Sequence, residues 1–428
     1  MKDKKLFPIL LLLVFGFNYF AQSQPNVRTS AWNYYKERQF AKAKEAIDKA
    51  STHELTATDP KTWYFKALIY LSIASSNDSV LRSSTADPIT ETFEAVKKSR
   101  EFDAKKAFYT DNNAVLKELT LLLYNDGTDK YNLGVINLSS NPSLSNLNFN
   151  KALTRFQQFI ESFAMMGKDS MGVVLELARY QVDAKNVYYY AGNCAYQTGQ
   201  KDKAVSFYQG LVNAKFQGFE VYANLADIYF ERGDTSKAFT VIDKGKKVNT
   251  DKNVLKNLDL KELQIYQLAG KMDELKNKLE AALNEDPNNI TFLVTLGETY
   301  YTISEKLAEE KKTPESDEYW NKAMDLFLKS LDKTTDADKE MRFLLNNKIG
   351  TIYYNKGADY YNQAIDKANE SREKELKDLY SKYFDMAIPY LEKSMELNPA
   401  DKAAIPLLIK IYLLKGDMNK VTELNKLK

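Results

Sequence analysis

An all-α fold is expected from this sequence: an α-solenoid of stacked helix–turn–helix hairpins, about eight to nine repeats carrying insertions. Three observations predict it. Glycine and proline are scarce, at 16 and 10 in 428 residues, which argues against a loop-rich β protein and against Pro/Gly-rich disorder. Between 185 and 252, residues of like type recur at a fixed 34-residue offset: Tyr188 and Tyr222, Gly192 and Ala226, Gly199 and Gly233, Ala204 and Ala238. That period is the length of one helical hairpin, a unit that cannot bury its apolar face alone and so stacks on its neighbours. The same alternation of small and large residues then returns along most of the chain.

The elements follow in order. Residues 1–23 are expected to stand outside the fold. Lys2, Lys4 and Lys5 open a basic start, an apolar run follows from Leu6 to Phe20, and Ala21-Gln22-Ser23 forms a small-x-small site. This is the pattern of a cleaved secretory signal peptide, and the run is too short for a spanning helix of about 20 apolar residues. Its removal takes away three Lys and one Asp, so the formal charge of +2 becomes a balance of 57 basic against 57 acidic residues. The mature chain is expected to be exported, as a periplasmic, outer-membrane-associated or secreted protein without a transmembrane segment. Balanced charge argues against a nucleic-acid partner, which calls for a basic excess.

Repeats begin with Ala31 and Tyr34 on a first helix and Phe40, Ala43, Ile47 and Ala50 on a second. Trp63, Ala67 and Tyr70 restart a first helix after Pro60, and Phe149, Ala152 and Phe156 read as a second helix. In the clearest pair, Gly192 lets the two helices of one hairpin approach closely, and Tyr188 and Tyr222 fill gaps between hairpins. Gly199 and Gly233 end first helices where a left-handed residue is cheap. Ala204 and Ala238 mark helix contacts that a larger side chain would overfill. Tyr266, Gly270, Ala282 and Pro287 continue the array, followed by Leu293, Leu296, Gly297 and Tyr300 with Trp320, Ala323 and Phe327. Gly350, Tyr353 and Gly357 open another repeat, closed by Ala387, Leu391, Ser394 and Pro399, and Tyr412 and Gly416 mark the last.

On these residues the chain resembles the tetratricopeptide-repeat (TPR) proteins over nearly all of its length after residue 23. In its leader and its Tyr/Asn/Lys-rich style it also resembles exported TPR proteins of Bacteroidetes-type bacteria. The resemblance implies a right-handed superhelix that binds peptides or proteins along a concave face lined by first helices. The pattern is strong in 185–300 and 387–417 and weak in 75–150. A Gly-bearing break at 165–172 divides the expected organisation into a divergent subarray at 24–166 and a TPR array at 172–428. Four stretches interrupt the period, at 75–87, 138–148, 303–317 and 358–384. Each reads either as a solvated face or as a partner-specific lip beside the groove; the last reads as helix extended past the normal turn.

Catalytic constellations are missing from the sequence. One histidine and one cysteine cannot build a Cys/His zinc site or a disulfide. No nucleophile elbow, HExxH, Walker or Rossmann motif occurs, and Gly167-Lys168 lacks the Ser or Thr a phosphate loop requires. Pairs such as Glu309-Glu310 read as solvent-face carboxylates. His53 reads as an exposed loop residue, and Cys194, at the position Ile228 takes 34 residues later, as a buried apolar thiol. A non-enzymatic protein without cofactor or metal is therefore expected.

The candidate binding residues are first-helix positions not assigned to packing: Tyr189, Asn193, Tyr196, Asn224, Asp227, Phe230, Glu298, Tyr301, Thr351 and Tyr354. Aromatic stripes offer large, stiff contact area, although they also serve to pack adjacent helices. Asn193, Asn224 and Lys261 fall where a TPR carboxylate clamp would place three members, but Tyr189 and Asn257 stand where basic residues belong, so the clamp is incomplete. The leading function is a protein-interaction scaffold or assembly factor of the bacterial envelope. The alternative is a solute- or glycan-binding accessory of outer-membrane nutrient uptake, whose relatives use a lipidated Cys that this leader lacks.

Overall fold

The computed structural model describes residues 24–167, 178 and 183–427. The leader at 1–23 lies outside the described residues, as does most of the stretch between 168 and 182. Among the described residues there are nineteen α-helices and no strand, and the chain is an all-α helical-repeat solenoid. No described helix is long and apolar enough to cross a membrane. The chain divides into two compact units, the first ending at Leu258 and the second beginning at Asp259.

In the first unit, α1 (Gln24–Lys36) pairs with α2 (Phe40–Thr52). The next hairpin pairs α3 (Pro60–Ala74) with α5 (Pro88–Phe102), and the one-turn α4 (Ser79–Arg82) stands between them. Three more follow: α6 (Tyr109–Ile136) with α7 (Pro142–Met166), α8 (Ala184–Gln197) with α9 (Lys201–Asn213), and α10 (Phe219–Glu231) with α11 (Thr235–Val248). Each first helix also touches the next first helix, α1 to α3, α3 to α6, α6 to α8 and α8 to α10, so first helices form one layer. The expected break at 165–172 falls largely outside the described residues, and α7 and α8 on its two sides pack together within this unit.

The unit boundary falls within α12 (Lys252–Leu268). In the second unit Leu263 packs in one core with Leu275 and Leu279 of α13 (Met272–Glu285). Then α14 (Ile290–Glu309) pairs with α15 (Thr313–Lys333), α16 (Lys339–Ala364) with α17 (Glu373–Leu397), and α18 (Ala404–Lys415) with α19 (Met418–Asn425). Three of the sequence interruptions are mostly helix here: α7 absorbs most of 138–148, α14 and α15 most of 303–317, and α16 and α17 most of 358–384.

Local chemistry sets the helix ends. Side chains of Asp59, Asp87, Asn141, Asp234 and Asn289 accept backbone N–H groups in the first turn of the helices they precede. Pro60, Pro88 and Pro142 occupy the first helical position, where a missing N–H costs nothing. Hairpins turn on left-handed residues, Gly199, Gly233, Gly270 and Gly416, at φ of 72°, 79°, 67° and 75°. Arg38 and Lys311 occupy comparable turns at φ 57° and 60° without being glycine.

In four hairpins, α6/α7, α8/α9, α14/α15 and α16/α17, a first-helix glycine meets a large second-helix side chain. A Cβ added to Gly192 would lie 2.7 Å from Tyr208 Cε1, and one on Gly297 or Gly350 would lie 2.9 Å from Phe327 or 2.8 Å from Leu391. Gly127 and Gly134 of α6 meet Phe156 and Phe149 in the same way, so the weakly patterned stretch hides a long first helix. Ala204 and Ala238 are fully buried, as their spacing implies. Tyr188 departs from expectation. Tyr222 is fully buried because Gly245 lets α11 approach it, whereas Tyr188 is 38% exposed. The helices are looser there, since a Cβ on Gly210 would stand 4.0 Å from the Tyr188 ring against 2.7 Å from Gly245 to Tyr222.

Candidate functional site

The ten candidate residues fall into one group in each unit. In the first unit, α8 and α10 carry Tyr189, Asn193, Tyr196, Asn224, Asp227 and Phe230. Asn193 is buried and its amide is spent internally. The Tyr208 hydroxyl donates to Asn193 Oδ1 at 2.6 Å, and Asn193 Nδ2 reaches the Tyr131 hydroxyl at 3.4 Å. Asn224 Nδ2 donates to the same Tyr208 oxygen at 3.0 Å. An amide–hydroxyl chain therefore crosses α6, α8, α9 and α10. It holds neighbouring hairpins in register, because each buried polar atom left unpaired would be costly.

Around this chain lie rings. Tyr189 stacks on Phe216 at 5.5 Å and meets Tyr190 edge-on at 5.6 Å. Burial, then the charge of Glu220, pushes the Tyr189 hydroxyl up to about 12. Tyr196 is held above the usual tyrosine range by burial, then by Asp227 and Glu231 of α10. Tyr196, Asn224, Asp227 and Phe230 remain part-exposed. Asn193 and Asn224 thus meet at one hydroxyl oxygen, Asn193 buried and Asn224 part-exposed, while Lys261 belongs to the second unit.

In the second unit the four candidates line three adjoining grooves. Glu298 and Thr351 face a groove of about 530 Å³, shared with Val294, Met341, Leu344 and Lys348. Lys348 Nζ lies 3.2 Å from Glu298 Oε1 and ties α16 to α14. Tyr301 lines a more polar groove of about 270 Å³ with Glu305, Trp320, Asn355, Lys356 and Asp359. There Lys356 pairs with Asp317 at 2.6 Å and lies 5.6 Å from the centre of the Trp320 ring. Desolvation raises the Asp359 carboxyl, with Lys356 offsetting part of the rise. Burial, eased by Asn355, takes Tyr301 up to about 12. Tyr354 lines a third groove, of about 460 Å³, with Tyr361, Phe384, Lys410, Leu413 and Leu414.

Sequence reasoning missed Lys348 and Asn355, which share the Thr351 stripe of α16 at spacings of three and four. It also missed Lys410, Leu413 and Leu414, whose exposure on α18 breaks the usual apolar-inside pattern. Among the described residues no group of three or more His, Cys, Asp or Glu is placed to hold a metal ion. Cys194 is fully buried, and burial pushes its thiol up, away from the reactive thiolate. His53 is part-exposed at the end of α2, where its Nδ1 accepts the Leu55 N–H at 3.3 Å.

Residues 186–214, covering most of α8 and α9, match a family described as Tetratricopeptide repeat. No curated protein matches the sequence. Among solved structures the chain is similar to the TPR domain of P58(IPK), at 11% identity over 95% of this chain and 92% of that one, with a TM-score of 0.26. It is similar to a human IFIT1 dimer with m7Gppp-AAAA at 11% identity, covering 94% and 93%, TM-score 0.29. It is similar to a chain of Naa15/Naa10 bound to HypK-THB at 14% identity, covering 94% and 63%, TM-score 0.24. At such scores the fold assignment rests on the helices themselves.

Proposed function

We propose that this chain is a non-enzymatic scaffold or assembly factor that binds a peptide or protein on its first-helix faces. One observation carries the reading. Glu298, Tyr301, Thr351 and Tyr354, singled out as first-helix positions beside the packing sites, line three adjoining open grooves of the second unit. The grooves combine part-buried rings with charges and amides at their mouths, the composition of surfaces that anchor a partner through a few stiff aromatics. The tetratricopeptide match at 186–214 supports the same class of role. The leader at 1–23 supports export by a cleaved signal to the bacterial envelope, in a periplasmic, outer-membrane-associated or secreted location.

A pull-down from a native envelope fraction, read by mass spectrometry, tests the proposal. Stoichiometric protein partners that the Tyr301→Ala/Tyr354→Ala chain no longer recovers, with helicity unchanged, are expected. No protein partner, together with saturable oligosaccharide binding in calorimetry, would put the glycan-accessory reading in its place.

A further inference from the structure

The interruption at 75–87 frames a groove of about 670 Å³ in the first unit, between α4, the start of α5, α6 and α7. Its floor is a closed set of charges. Arg155 of α7 donates through Nη1 and Nη2 to Asp87 at 3.0 and 2.8 Å, and through Nε to Asp126 at 2.6 Å. It also reaches Thr90 Oγ1 at 2.8 Å, and Lys130 stands 3.6 Å from Asp126. Two carboxylates and two cations balance there, and the Arg155 side chain is only 12% exposed. The lip is equally built. Asp78 accepts the N–H groups of Val80 and Leu81, and Arg82 donates to the Ser76 carbonyl.

Two cations in the lining remain without a carboxylate among the described residues. They are Arg82 on the lip and Lys151 on α7. Hydroxyls of Ser79, Ser83, Thr85 and Thr154 stand in the same lining, and no aromatic ring does. Stacking of a neutral sugar is therefore not on offer, whereas an oxyanion beside several hydroxyls meets donors and acceptors it can use. The volume lies within the range of small-molecule sites, roughly 300–1,000 Å³. We propose that this groove binds a small hydroxylated organic anion, with its carboxylate or phosphate held between Arg82 and Lys151 and its hydroxyls on the Ser/Thr wall. The site is separate from the partner-binding grooves of the second unit and stands or falls without them.

Calorimetric titration of the purified chain with glucose 6-phosphate, glucuronate, inorganic phosphate and glucose tests it. At least one of the two sugar anions is expected to bind saturably, more weakly as salt rises, and to name the oxyanion by which of the two it is. Arg82→Ala/Lys151→Ala is expected to weaken that binding about tenfold or more, with an unchanged melt because both side chains are exposed. Three results would overturn the proposal: neither sugar anion binds, glucose or inorganic phosphate binds as tightly as the sugar anion, or the double variant keeps full affinity.

Discussion

Gly192 offers the sharpest test of how the hairpins close. Replacing it with alanine relieves a helix-interior glycine, worth about 1 kcal/mol in isolation. Against that gain, the new Cβ would lie 2.7 Å from Tyr208 Cε1 and 2.9 Å from its Cδ1. Tyr208 has no exposed surface, and its hydroxyl is held on two sides, by Asn193 at 2.6 Å and Asn224 at 3.0 Å. The ring cannot retreat without stretching those bonds, so the overpacking cost belongs in the upper part of the usual range of about 1–3 kcal/mol. The net expectation for Gly192→Ala is destabilisation by about 1–2 kcal/mol, a factor of roughly 5–30 in the local opening equilibrium. Gly210→Ala is the matched control. It also sits inside a helix, but its Cβ meets nothing nearer than the Tyr188 ring at 4.0 Å, so a gain of up to about 1 kcal/mol is expected. Stability in a repeat array is a sum of local terms, so hydrogen exchange across α8 and α9, read by mass spectrometry, is the proper assay. Exchange in Gly192→Ala as slow as in Gly210→Ala would refute the account of the interhelical contact.

Other expectations follow from the same geometry. Ala204→Leu should overfill the fully buried contact of α9 and cost about 1–3 kcal/mol; an unchanged thermal melt would count against the repeat alignment. Tyr208→Phe leaves the buried Asn193 Oδ1 without its donor and should cost about 1–3 kcal/mol in a urea titration, an effect that a purely apolar role for the ring would not produce. Arg38→Gly and Lys311→Gly relieve left-handed backbone at φ 57° and 60°, and each should raise the melting temperature through a gain of up to about 1 kcal/mol, the strain relieved less the added chain entropy of glycine. Tyr189, Tyr301 and Tyr353 are held neutral up to about 12, above the ordinary tyrosine value of 10.0, chiefly by burial. The unfolded chain therefore loses these protons first. Their contribution is fully present below pH 10 and is lost as pH rises toward 12, so tyrosinate absorbance and loss of helicity should rise together across that window. Ionisation of these rings near pH 10 in the folded chain would contradict their burial.

The hairpin is legible in the sequence alone. Its small residues at a 34-residue offset and its turn glycines act within one repeat, and local chemistry of this kind reads directly from spacing. That is why Gly192, Gly199 and Ala204 have the places their pattern implies. Where helices outgrow the period the pattern fades: Gly127 and Gly134 do the same work as Gly192, but on a 28-residue helix whose pairing has no 34-residue echo. The site needed more than periodicity. Asn193 looks like a free amide on a first helix, yet Tyr131, 62 residues earlier, and Tyr208, 15 later, converge on it and take it into the core. Arg155 is one of many cations in the sequence until Asp87, 68 residues away, and Asp126 close around it and leave Arg82 and Lys151 unmatched beside it. Burial and charge balance depend on which distant side chains share a volume, and no repeat spacing encodes that.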